Sequence, residues 1–343
     1  PARASFVSAL LAMTPAAAQN AATYTILSFD DLNGWENDDH QAALDVFGLT
    51  CGALPEPEWA SVCALAADQP NARAFFERYF SPLLIEDGKP GLFTAYYEPE
   101  LDGSLARTER YRYPLYRKPP EVRSGEAWYS RAEIESGGLL SGQGLEIAWI
   151  SDPVDVFFLQ VQGSGRIRLQ NGQTLRIGYG GSNGHAYRSI GKELVRRGTY
   201  QAHQVSAKVI RNWVRRNPTE GAALLHTNPS FVFFRLVRGA SDDQGPIGAM
   251  NRAITAHRTL AIDPSYVPLG APVWVEKGGN DGFQRLMVAQ DTGSAIKGAQ
   301  RGDIFFGTGH DAGHAAGRVR DPGRMVVLVP IELANAKAGG TGE

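Results

Sequence analysis

Cysteine is scarce in this chain, with two in 343 residues, and methionine nearly so, with four. Two cysteines without a metal-ligand spacing exclude a thiolate zinc module. Cys51 and Cys63 bracket the short loop CGALPEPEWASVC. In an exported protein they are disulfide candidates; in a cytosolic one they would be two buried thiols. No apolar run approaches the ~18 residues of a membrane-spanning helix. A basic excess is also missing: 34 Lys and Arg stand against 36 Asp and Glu, a net charge of −2. That balance argues against nucleic acid as a partner.

Glycine and proline are plentiful, at 39 and 20. They favour many turns and short strands over long helices. A chain this long exceeds what one core usually serves, so two domains are expected. At the N-terminus, Arg3 precedes the apolar stretch Phe6–Met13 and then Pro15-Ala16-Ala17-Ala18-Gln19. This reads as the tail of a secretory signal, cleaved after Ala18, or as an Ala-rich tail without structure. No Cys follows it to take a lipid. The C-terminal ANAKAGGTGE reads as disordered.

The stretch 286–309, LMVAQDTGSAIKGAQRGDIFFGTG, carries the chemistry. Leu286–Ala289 reads as a buried strand with Asp291 just past its end. Asp303 precedes a second apolar run, Ile304-Phe305-Phe306. Carboxylates at the mouths of adjacent strands, with glycines that let a ligand approach, suit glycosidic-bond cleavage. A carboxyl sheltered by Ile304, Phe305 and Phe306 would have the raised pKa of a proton donor. Asp in a Gly-rich turn is also an ordinary turn former. Asp291-Thr292-Gly293 matches the aspartic-protease tripeptide, but it occurs once and its flank, AIKG, does not fit.

This stretch, with RTLAIDPSYVPLG and its Asp263, resembles the C-terminal three-aspartate (3D) domain of the MltA family of lytic transglycosylases. FTAYYEPELDGS, FFLQVQGSGRIRLQNG, YGGSNGHAYRSIGKEL and NPSFVFFRL resemble the same family in the same order. The resemblance covers roughly residues 90–335. It implies a mainly β protein with flanking helices: a double-psi β-barrel from 19–102 and 238–335, and an inserted β-domain at 103–237. A deep groove would run between them.

The remaining motifs supply candidate glycan contacts. Phe93–Tyr97 reads as a strand that puts Tyr96 and Tyr97 on opposite faces. Tyr96 is the candidate cleft residue, and Glu98 a second carboxylate or a strand-end charge in water. Asn171-Gly172 predicts a two-residue hairpin turn with Ile167, Leu169, Leu175 and Ile177 inward and the arginines wet. Before it, Gln160 and Gln162 read as one face of a strand, followed by Gly163, Ser164 and Gly165. Their amides could bind acetamido and hydroxyl groups. Some members of the family carry Asp where Gln160 stands; Gln160 itself could only bind. Asn183, His185, Tyr187 and Arg188 read as crowding a helix start that attracts carboxylates, with Ser182 or Asn183 as its cap. Lys297 is expected to face substrate or solvent. His310 and His314 are four apart, but no third metal ligand is evident, and no metal site is assigned. The aromatics of NARAFFERYFSPLLI read as core.

The function implied by the resemblance is that of a lyase, a peptidoglycan lytic exotransglycosylase. It would cleave the β-1,4 bond between N-acetylmuramic acid and N-acetylglucosamine and leave a 1,6-anhydro end. Asp303 would be acid and then base; Asp291 would hold the loop or repel the Asp303 charge. No cofactor is needed. The expected partners are peptidoglycan glycan strands, with any wall-synthesis or wall-degrading partner open, and a monomer in the periplasm or at the outer membrane. Two alternatives stay open: an inverting hydrolase using Asp291 and Asp303, and a non-catalytic peptidoglycan-binding module.

Overall fold

The structure is a computed structural model, and it describes residues 22–239, 241 and 243–339. The signal-like stretch 1–18 lies outside the described residues. The described residues begin with β1 (Thr23–Ile26), then α1 (His40–Gly48), α2 (Pro57–Ala66) and α3 (Ala72–Tyr79). Asp39 caps α1 through the Ala42 N–H and Asn71 caps α3 through the Ala74 N–H. Phe75 and Phe76 of α3 are buried, and Phe80 is buried as the first residue of the next strand, which ends the helix there. Cys51 and Cys63 are joined, with their Cα atoms 5.5 Å apart, and tie the turn after α1 to α2.

Two strands follow, β2 (Phe80–Glu86) and β3 (Leu92–Glu98). After Pro99 the chain enters a second sheet with β4 (Glu100–Ser104), β5 (Tyr113–Tyr116), α4 (Arg131–Ser136), β6 (Glu146–Ile150), α5 (Pro153–Gln162), β7 (Gly165–Leu169) and β8 (Thr174–Ser182). Then come α6 (Ile190–Arg196), α7 (Ala207–Arg216), α8 (Pro218–Leu225) and β9 (Val232–Val237). The chain returns with β10 (Thr259–Ile262), β11 (Pro272–Lys277), β12 (Phe283–Thr292), β13 (Arg301–Thr308), α9 (Gly309–Ala316), β14 (Arg320–Pro330) and α10 (Ile331–Gly339). The tail expected to be disordered is therefore helical as far as Gly339.

The first sheet runs β1-β2-β14-β11-β12-β10-β13-β3, and β14 also pairs with β3. That last pairing closes β14-β11-β12-β10-β13-β3 into a ring. Its filling is apolar: Leu260, Ile262, Val273, Val275, Met287, Ile304 and Val327 are all buried. The second sheet runs β5-β6-β4-β7-β8-β9. A parallel bridge between Arg117 and Phe234 brings its two edges together, so it is a nearly closed barrel with its own core around Ile147, Ile167 and Phe234. The protein is thus a mixed α/β fold with two β-rich units.

Two local expectations are corrected here. The 157–162 segment is not a strand but the end of α5, started by Pro153 and capped by Asp152, whose side chain accepts from the Val154 N–H. Residues two apart on a helix do not share a face, so Gln160 and Gln162 diverge. The β7–β8 hairpin has three loop residues rather than two. Leu169 bonds the carbonyl of Gln173, Gly172 bonds that of Leu169, and Gly172 takes φ +82°. This is a turn followed by a left-handed glycine.

Candidate active site

The site is a row across four strands of the ring. Asp291 on β12 lies opposite Ala261 on β10, Ala261 opposite Asp303 on β13, and Asp303 opposite Thr94 on β3. Residues in register share one face of the sheet. Both aspartates lie within their strands rather than beyond them, and their strands are not adjacent, because β10 runs between. Two interstrand spacings put their backbones ~10 Å apart. Ala261, the small residue between, is buried under Tyr96, Phe305 and Ile254.

Asp303 is half-buried. Arg301 Nη2 donates to Thr94 Oγ1 at 2.7 Å, so the single hydroxyl proton of Thr94 is left for Asp303 Oδ1, which it contacts. Burial pushes the Asp303 carboxyl up to about 6; the Thr94 bond and the Arg301 charge oppose it, and the Asp291 charge adds to it. Alternation corrects the expected shelter. Phe305 shares the face of Asp303 and packs on Tyr96 at 5.3 Å between ring centroids, beside Ile254 and Ala261. Ile304 and Phe306 turn to the other side, toward the main core.

Asp291 is held by three donors. Tyr96 Oη donates to its Oδ2 at 2.7 Å, and the N–H groups of Ala249 and Thr292 donate to Oδ1 at 3.1 and 2.9 Å. Burial still pushes this carboxyl above its ordinary value. Burial and the two carboxylates push the Tyr96 hydroxyl well up, so it stays a donor. Asp263 is different: burial raises it, but the N–H groups of Gly298 and Ser265 and the Lys297 ammonium outweigh that, and it stays below the usual range. Lys297 pairs with Asp263 at 3.4 Å, away from Asp303. This pair clasps the loop between β12 and β13.

Beside Asp291 lies a cavity of about 510 Å³. Its lining brings together Gln160, Gln162, Gly163, Ser164 and His185 with Ser182, Arg235, the segment Pro246–Ala249, Asn251 and Asp291–Ser294. Asp303 does not line it; it lies along the same sheet face, past Ala261. Gln160 is buried, and its Oε1 accepts from Arg131 Nη2. Gln162 Oε1 accepts from the Tyr97 N–H at 3.0 Å.

Of the other sequence candidates in the second unit, His185 lines this cavity, while Gly165, Asn183, Tyr187 and Arg188 do not. Gly165 is packed so that a Cβ would stand 2.4 Å from Leu159 Cδ1. Asn183 is fully buried and bonds Tyr129 O, Pro229 O and Phe231 N–H. It caps no helix; α6 starts later, under Ser189. His185 bonds Trp128 O at 2.6 Å, Tyr187 packs among the α5–α8 helices, and Arg188 is exposed outside the cavity. Among the described residues no group of three His, Cys, Asp or Glu could hold a metal, and His310 is exposed beside Asp311.

Thr94, Arg301 and the 246–251 segment were not singled out from sequence. Thr94 had a signal, since it alternates onto the face of Tyr96. So did Arg166 and Arg176, which are buried rather than wet. They stand directly opposite each other in the β7–β8 pair. Like charges placed so demand an anion between them. That anion is Glu98, itself 1% exposed, which accepts from Arg166 Nε at 2.9 Å and lies 3.7 Å from Arg176 Nη2.

Comparison with known proteins agrees with this architecture. The MltA specific insert domain matches residues 92–235, and the 3D domain matches residues 258–329. Membrane-bound lytic murein transglycosylase A of Escherichia coli strain K12 is 39% identical over 246 residues, 69% of this chain. The match spans 65% of that relative's length. The crystal structure of a membrane-bound lytic murein transglycosylase from Agrobacterium tumefaciens is 35% identical, with a TM-score of 0.81 over 92% of this chain and 99% of that one. E. coli MltA with bound chitohexaose is 30% identical, with a TM-score of 0.72 over 90% and 94% of the two chains. The chain belongs to the MltA family of lytic murein transglycosylases and carries that family's C-terminal 3D domain.

Proposed function

We propose that this protein cleaves the β-1,4 bond between N-acetylmuramic acid and N-acetylglucosamine in peptidoglycan and closes a 1,6-anhydro ring on the muramoyl side. Asp303, protonated, gives its proton to the glycosidic oxygen. Once ionised, it takes the proton of the C6 hydroxyl as that oxygen attacks C1. One carboxyl serves both steps because no water is activated on the opposite face. The observation that carries this reading is the Asp303 carboxyl, raised to about 6 by burial, on the face it shares with the cavity-lining Asp291. A glycan of the kind bound in the E. coli relative would run along that face, with Gln162 and Ser164 on its far wall. The closed ring, with its parallel β10–β12 and β13–β3 pairs, supports reading this unit as a double-psi β-barrel. The Cys51–Cys63 disulfide supports a place outside the reducing cytoplasm.

An inverting hydrolase would need one carboxyl raised and the other ionised, with a water between them. Tyr96, whose hydroxyl reaches from β3 to Asp291, packs with Phe305 on Ala261 between the two carboxyls, which favours the single-acid reading. Mass analysis of muropeptides separates the two. The expected products are anhydro ends from wild type and at least ~10³-fold slower release from Asp303→Asn. Reducing ends would reject the transglycosylase, and wild-type rates in the variant would remove Asp303 from its role. Because the acid must be protonated, kcat/KM should fall as pH rises through about 6.

A further inference from the structure

We infer that Glu98, Arg166 and Arg176 form a clamp that positions the segment Pro246–Asn251, and through it Asp291 and one wall of the cavity. The inference rests on the reading of that cavity as the glycan site. Glu98 is the last residue of β3, where the chain leaves the ring, and Thr308 of β13 also donates to it, at 2.8 Å. The two arginines come from the other unit. Other N–H groups of both arginines hold the backbone of the returning chain. Arg166 Nη2 donates to Gln244 O at 2.9 Å. Arg176 Nη1 donates to Ser241 O at 2.7 Å, and its Nη2 to Gln244 O at 2.8 Å and Gly245 O at 2.6 Å.

The chain directly after Gly245 is a tight hairpin. Ile254 N–H bonds Pro246 O and Gly248 N–H bonds Arg252 O, both at 2.9 Å, and Ile247 bridges Ala253. A closed hairpin moves as a unit, so fixing its base fixes its tip. At the tip, the Ala249 N–H holds Asp291, and Pro246–Ala249 and Asn251 line the cavity. At its base, Ile254 packs with Tyr96, Ala261 and Phe305, the group that shelters Asp303. The fit has no slack: a Cβ on Gly245 would stand 2.1 Å from Ile254 O, and one on Gly248 2.9 Å from Gln290 O. Burying one carboxylate with two guanidinium groups adds little net stability compared with an apolar cluster. What this cluster supplies is geometry, since the planar fork of Arg176 reaches three carbonyls at once.

Arg176→Lys tests the clamp. It keeps the charge beside Glu98 but cannot span three carbonyls. For glycan strands, KM should rise about tenfold with kcat within about threefold, the signature of lost binding rather than lost chemistry. Amide exchange at Gly248 and Ala249 should quicken at least tenfold while β11 and β12 stay protected. Glu98→Gln should act in the same direction with a lower Tm. A folded Arg176→Lys with wild-type KM and wild-type exchange at Gly248 and Ala249 would overturn the clamp. So would a parallel loss of protection in β12, which would mean general loosening. Wild-type digests without anhydro ends would defeat the reaction alone; chitohexaose affinity and the exchange of Ala249 would then still decide the clamp.

Discussion

Asp303 owes its surroundings to two neighbours that a sequence shows only as a Thr and an Arg. Thr94 cannot turn its proton elsewhere while Arg301 donates to it, so one carboxylate oxygen is permanently an acceptor and the other is left to carry the acid proton. Thr94→Val removes that bond. Arg301 stays tied to the carbonyls of Leu92 and Gly302, so the lost bond is the main change. Since the bond lowers the Asp303 pKa, its loss should move the alkaline limb of kcat/KM upward by up to about one pH unit. A downward shift would contradict the arrangement. The raised carboxyl also burdens the fold. Its folded pKa of about 6 exceeds the ordinary 3.8, so the native state binds the extra proton between those values. Stability from this group is therefore complete at low pH and lost as pH rises through about 6. Asp303→Asn should raise stability by roughly 1–2 kcal/mol near pH 8, after discounting the partly exposed edge, and by nothing near pH 3. Chemical denaturation at the two pH values checks this.

At the scale of the element, the ring depends on β3 lying between β13 and β14, and that closure is built from glycines. A Cβ on Gly91 would meet Gly323 O at 1.9 Å, and one on Gly323 would meet Glu276 O at 2.3 Å. Gly323→Ala should cost upwards of ~2 kcal/mol, read as a lower denaturation midpoint. Reducing the Cys51–Cys63 link, which closes a separation of 12 residues, should cost about 2–3 kcal/mol in thermal melts. It should leave turnover unchanged, because the link lies in the helical layer away from Asp303. The elements legible from sequence were those with strong local signals: the β7–β8 hairpin, the apolar runs of β12 and β13, and the buried aromatics of α3. The α5 helix was misread because Val156 to Leu159 is a short apolar run, which fits a strand as well as a helix. Asp152-Pro153 was the start signal that should have decided it.

At the scale of the whole molecule, what could not be read was adjacency. Nothing local says that β10 comes between β12 and β13, or that Lys297 turns to Asp263. Those facts follow from how distant segments close the ring, so the two aspartates could be singled out as candidates while their spacing and their neighbours could not. The buried arginines were missed for the same reason, since their anion comes from the other sheet. The second unit has its own cores, apart from that of the ring. A fragment spanning residues 92–245 retains Glu98 and the carbonyls that Arg166 and Arg176 hold. It should give a dispersed amide spectrum and a cooperative melt; a collapsed, poorly dispersed spectrum would show that the unit needs the ring. The ring itself is split, with β3 made early and its two partners β13 and β14 made last. A chain still leaving the ribosome or threading through a translocase thus holds Thr94 without the aspartate it serves. On the proposed reaction, cutting power would arrive only with the final strands, and a half-delivered polypeptide would be harmless to any wall around it.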